Sequence, residues 1–194
     1  MGPTRVIYAL QVELTKNEIL SMRKEISKKN SIFLEKKFLD SLFLPSNIIG
    51  RKDQSKQILE YFESLQQGLL VPLISVFGRS GSGKSVVVKV VCENTKDLIS
   101  YSFVNLRRAR TVFGCANMVL AELGAQPLKS AFGLTKVIEL IGNRIEDILF
   151  SQNKRFFVLV LDEYDVIFYD KRSNPSDFMY KLLTLEENLR EKGL

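Results

Sequence analysis

Two apolar runs stand out in the hydrophobic pattern. PLISVF (residues 72–77) leads into a glycine-rich stretch, and FFVLVL (156–161) is apolar at every position up to Asp162. Short unbroken runs bounded by turn residues or acids read as strands buried on both faces, as in a parallel sheet covered by helices. YSFVNL (101–106) reads as a further strand. Between these runs the spacing changes to that of helices. Residues 53–67 place Ile58, Leu59, Phe62 and Leu65 inward and stop at Gly68, and residues 84–92 form a valine-rich helix after the glycines. Residues 112–123 and 135–150 continue the series, the latter with Val137, Leu140, Ile141, Ile145 and Ile148 on one stripe. A last helix opens on Asn174 as cap with Pro175 in its first turn, where the missing N–H of proline costs nothing.

Strands alternating with helices predict a right-handed α/β domain with a parallel sheet. A strand and two helices separate the glycine-rich loop helix from VLVLDE. This predicts an intermediate strand, ending at Asn105, between the loop strand and the acidic strand. Upstream, residues 15–30 read as a helix with a Thr15 to Glu18 capping box and Ile19, Met22 and Ile26 on a narrow stripe. Residues 31–45 follow as an irregular arm. The expected organisation is a basic helix and arm over 1–45 and a core over 46–194, without internal repeats.

Charge and cysteine usage narrow the class. The 194 residues carry a formal charge of +6 with 26% charged and 45% hydrophobic residues, a composition for a folded domain. Residues 1–56 hold eleven Lys/Arg against six Asp/Glu. That surplus fits an acidic partner such as nucleic acid, or equally a solvated helix face. Cys92 and Cys115 lie in no metal-like spacing and read as reduced thiols. With no long apolar span and no secretory leader pattern, the expectation is a cytoplasmic protein without membrane contact.

The glycine-rich stretch carries the chemistry. GRSGSGKS (Gly78, Arg79, Ser80, Gly81, Ser82, Gly83, Lys84 and Ser85) satisfies G-x-x-x-x-G-K-[ST] between a predicted strand and a predicted helix. Glycines let backbone N–H groups converge on phosphate oxygens, and the following helix adds its free N–H groups and positive dipole end. With Val86 the loop forms the candidate site for ATP or ADP. Lys84 is placed for the β- and γ-phosphates and the Ser85 hydroxyl for Mg²⁺. A magnesium nucleotide also needs a carboxylate at a neighbouring strand end. Asp162 supplies it, and Glu163 beside it suits activation of the attacking water. The amide of Asn105 is expected to contact Glu163, or else to serve as an ordinary turn residue.

Taken together these stretches resemble the AAA+ ATPases of the origin-recognition and replication-initiator family, especially the archaeal type. IFLEKKFLDSLFLPSNIIGRKDQSKQILEYF resembles the family's arm and first helix. VFGRSGSGKS and VLVLDEYD resemble its two nucleotide motifs, and YSFVNLRRARTVFGCANMVLAELG its Asn-ended strand, basic connection and next helix. The resemblance implies a P-loop NTPase fold, a three-layer sandwich with a parallel sheet preceded by an N-terminal helical arm. It places Ile48, Ile49 and Arg51 beside the adenine, although this chain has no histidine where the family often carries one. It also makes Arg107, Arg108 and Arg110 the counterparts of a basic insertion that touches origin DNA; arginines so clustered suit phosphate contacts, or ion pairs within the fold.

The same resemblance implies that ATP state controls binding to double-stranded origin DNA and helicase loading, with other initiator subunits or the replicative helicase as partners and association with the nucleoid. Residue 194 falls about where the family's next strand begins, so the core is expected to be incomplete at its C-terminus, before the first sensor, the lid and the winged-helix domain. ATP hydrolysis to ADP and phosphate is then expected only with those elements or with a partner subunit. Two alternatives stay open: a signalling or defence NTPase lacking its effector region, and a module that binds nucleotide only for stability.

Overall fold

The computed structural model describes residues 17, 20, 21, 44, 45, 48–69, 73–171 and 173–193. The chain divides into two compact units, residues 1–43 and 44–194. In the first, Asn17, Leu20 and Ser21 are helical; the rest of the expected helix over 15–30, and the arm as far as residue 43, lie outside the described residues. The second unit holds five α-helices and two strands among the described residues. These are α1 (Lys52–Gln66), α2 (Lys84–Asn94), β1 (Ser100–Asn105), α3 (Val112–Glu122), α4 (Gly133–Gln152), β2 (Phe157–Asp162) and α5 (Pro175–Glu191).

The strands β1 and β2 are parallel neighbours, with Ser100 opposite Phe157 and Asn105 opposite Asp162. Alternation along β2 divides the core. Val158 and Val160, with Phe156 just before the strand, pack towards a cluster of Ile58, Phe62, Val87, Val91, Cys92 and Ile99 from α1, α2 and the turn before β1. Phe157, Leu159 and Leu161 pack on the opposite face, against a larger cluster built from α3, α4 and α5 that includes Leu120, Ile141 and Phe178. Helices therefore lie on both faces of a parallel sheet, the arrangement that an unbroken apolar strand requires.

Local chemistry explains the helix ends. Thr111 accepts the backbone N–H of Gly114 at the start of α3, and Asn174 accepts that of Ser176 at the start of α5, each satisfying an otherwise unpaired donor. Asn153 ends α4 in a left-handed conformation that asparagine tolerates. The buried carboxyl of Asp170 accepts from the N–H of Val112 at 2.9 Å, joining the turn after β2 to α3. Cys92 and Cys115 are both free and buried, and burial pushes each thiol up to about 11, so both stay protonated near neutrality.

Two expectations from the sequence need correction. In α1, Ile58 and Phe62 are buried, but Leu59 is exposed, because positions four apart share the inward face. The larger difference concerns the run over 72–77. Residues 73–79 form no strand, and Leu73, Val76 and Phe77 are exposed, Phe77 by 89%. The predicted order differs only on the loop side: β1 pairs directly with β2, as expected of a strand next to the acidic one, while residues 73–79 join neither strand. An apolar run becomes a strand only when a neighbour completes its hydrogen-bond ladder, whatever its propensity. Here an apolar groove of about 480 Å³ is lined by Leu73 and Ile74 on one side and by Phe157, Leu159 and Leu161 of β2 on another.

Candidate functional site

The loop between the extended segment and α2 has the backbone that its glycines permit. Gly81 and Gly83 have φ of 74° and 85°, a left-handed region costly for residues with a Cβ. Gly83 is the N-cap of α2, so Lys84 and Ser85 occupy its first turn, where N–H groups lack helical partners. Lys84 Nζ donates to the carbonyls of Gly78 at 2.9 Å and Arg79 at 3.0 Å. Two of the three ammonium donors thus hold the charge over the start of the loop.

The parallel register delivers the acidic side of the site. Asn105 and Asp162 end β1 and β2 side by side, at the carboxyl edge of the sheet, where α/β folds place their ligands. Asp162 is half-buried. Its Oδ1 accepts the Ser85 hydroxyl at 2.9 Å and its Oδ2 accepts Asn105 Nδ2 at 3.1 Å. A hydroxyl beside a carboxylate oxygen is a hard-oxygen pair of the kind that Mg²⁺ takes, the remaining positions being filled by phosphates and water. No group of three or more His, Cys, Asp or Glu side chains gathers among the described residues, so this is no all-protein metal cage.

Glu163 is exposed at the next position, with φ of 55°. A left-handed conformation at a residue with a Cβ marks local strain, and here it turns the chain sharply from β2 into the short helix Tyr164–Tyr169. Glu163→Gly should therefore be more stable to urea than Glu163→Ala, by roughly 1 kcal/mol. At an ordinary helical position the order is reversed. Equal stability of the two variants would show that the position carries no strain.

The other sequence-predicted residues lie around this centre. Asn105 is bonded to Asp162 and not to Glu163, because the register sets it opposite Asp162 while Glu163 has already left the strand. Arg51, expected beside an adenine, donates from its guanidinium to the carbonyl of Ser82 at 2.8 Å and so braces the phosphate loop. Ile48 packs against the smaller core cluster, whereas Ile49 is 95% exposed. Arg107, Arg108 and Arg110 are all exposed, and none forms an ion pair among the described residues. The brace from Arg51 to the loop had no signal in the sequence beyond a basic residue before a helix.

Comparison with known proteins fits this geometry. Residues 47–192 match the family described as AAA ATPase domain. The chain belongs to the AAA ATPase family. Within it, the chain is 26% identical over 172 residues to ORC1-type DNA replication protein 1 of Methanothermobacter thermautotrophicus, covering 85% of this chain and 44% of that protein. It is 28% identical over 173 residues to an ORC1-type DNA replication protein of Methanosphaera stadtmanae, covering 86% and 44%. The chain thus spans less than half the length of these curated relatives. Among solved structures, the Aeropyrum pernix ORC1 protein in complex with DNA aligns with a TM-score of 0.63 at 20% identity, covering 80% of this chain and 41% of that one. The Aeropyrum pernix ORC2 protein, in ADPNP-ADP complexes, aligns at 0.59 with 18% identity, again covering 80% and 41%. These two likenesses bear on the fold: an AAA ATPase core of helices around a parallel sheet. No helix of the described residues is long and apolar enough to cross a membrane.

Proposed function

We propose that this AAA ATPase chain binds ATP·Mg²⁺ and acts in DNA replication initiation, with nucleotide state governing its contact with duplex origin DNA and the loading of a helicase. The observation that carries the nucleotide reading is the meeting of Ser85, at the start of α2, with Asp162, at the end of β2, at 2.9 Å. The link to replication is supported by the names of the ORC1-type relatives.

In this reading the loop N–H groups and Lys84 receive the phosphates, and Ser85 and Asp162 hold the metal. The bound metal would draw charge from the phosphate oxygens as the terminal bond breaks. Exposed Glu163 would accept a proton from the attacking water. Val86 continues the loop into α2, and Ile48, Ile49 and Arg51 would flank the base side of the nucleotide. Arg107, Arg108 and Arg110 would meet DNA phosphates. Other initiator subunits or the replicative helicase would be the protein partners, and the chain would work in the cytoplasm at the nucleoid.

Fluorescence titration with labelled ATP and with duplexes of several sequences tests this directly. ATP should bind more tightly with Mg²⁺ than in EDTA. Replacing Arg107, Arg108 and Arg110 together by alanine should weaken every duplex by a similar factor, on the order of tenfold at low salt, and reduce the salt dependence. Loss confined to one sequence would show base reading, and unchanged DNA affinity would remove these arginines from the interface.

A further inference from the structure

The described site leaves open what fixes the rotation of the Asp162 carboxylate. Ser85 occupies one of its oxygens and Asn105 the other. Asn105 is itself held: its Oδ1 accepts the backbone N–H of Arg107 at 3.0 Å, at the start of the short helix Leu106–Arg108. A backbone N–H can only donate, so that contact assigns oxygen to the Arg107 side and leaves the amide NH₂ for Asp162. The polarity of the chain, from N–H of Arg107 through the Asn105 amide to Asp162, is thereby set.

We infer that Asn105 is a positioning residue for the metal-binding carboxylate, orienting Asp162 through its second oxygen so that the first stays directed at Ser85. This rests on the ATP·Mg²⁺ reading of the site and adds to it a residue that touches neither nucleotide nor metal. The geometry is specific to asparagine. Aspartate would set a second carboxylate against Asp162, and alanine would leave Oδ2 without its donor. Outer partners of metal-binding carboxylates hold them in register, and their loss typically lowers metal affinity by 10- to 100-fold.

The test uses the whole chain, a fluorescent ATP analogue, and Mg²⁺ or Mn²⁺ as the metal. Asn105→Ala should bind the analogue in EDTA as the parent does, which also reports an intact loop. The metal concentration giving half of the metal-dependent gain in affinity should rise about tenfold, and Mn²⁺ electron paramagnetic resonance should show the same weakening. In an Asp162→Ala background the Asn105→Ala change should have no further effect on metal affinity, since its target is gone. The inference is overturned if Asn105→Ala leaves metal affinity unchanged, if it weakens nucleotide equally with and without metal, or if its effect survives in the Asp162→Ala background. Failure of the parent chain to bind the analogue under any condition would overturn the proposed function and this inference with it. Parent binding with any of the three preceding results would overturn the inference alone.

Discussion

Lys84→Ala is expected to lower affinity for ATP by at least ~100-fold, because two effects act together. The ammonium is the one fixed positive charge on the loop helix that reaches back over the loop, and charge-assisted bonds to phosphate contribute on the order of 3 kcal/mol. Lys84 also ties the loop to itself through the carbonyls of Gly78 and Arg79, so its removal loosens the cradle as well as discharging it. Stability should change by less than ~1 kcal/mol, since both bonds lie at an exposed site. Isothermal titration with ATP, alongside a thermal melt, separates the outcomes. Wild-type affinity in a folded variant would falsify the phosphate-loop assignment.

The second large effect concerns the core. Phe178 is fully buried in α5 and belongs to the cluster that includes Ile141, Ile145 and Ile167. Phe178→Ala should cost about 3–5 kcal/mol through lost burial and the cavity left behind. For a chain of this size the melting temperature should fall by roughly 10 °C. Tyr180, two residues on and 71% exposed, is the control: its replacement by alanine should shift stability by no more than about 0.5 kcal/mol. A small effect at Phe178 would mean that α5 does not pack where the structure places it.

These two residues also show what the sequence made legible. The G-x-x-x-x-G-K-[ST] spacing led to a glycine turn that opens a helix at Lys84, as the structure has it, without any knowledge of packing. The helices were readable from their apolar stripes to within a few residues of their observed ends, as α4 shows with Val137, Ile141 and Ile145 buried. The run over 72–77 was misread because strand formation depends on a neighbour, and periodicity carries no information about neighbours. Asn105 failed in a related way. Its place at a strand end was clear, but whether it meets Asp162 or Glu163 depends on register and on the left-handed turn at Glu163. Arg51 illustrates a third limit, since its side chain crosses to Ser82, 31 positions along the chain.

The extended segment before the loop has a mechanical consequence. Residues 73–79 share no ladder with β1 or β2, although Ile74 packs on the smaller core cluster, so no strand hydrogen bonds steady the loop from that side. Its support comes from three other directions: α2, into which it runs; Arg51 at the head of α1; and the bond from Ser85 to Asp162. Of these, the Arg51 contact is the one that ties the loop to a different helix. A push or twist on α1 would therefore reach the loop through Arg51 as well as the sheet through Ile58 and Phe62. Under the proposed ATP·Mg²⁺ reading, the helix that opens the core would act as a lever on the loop that receives the nucleotide, with its short arm at Ser82.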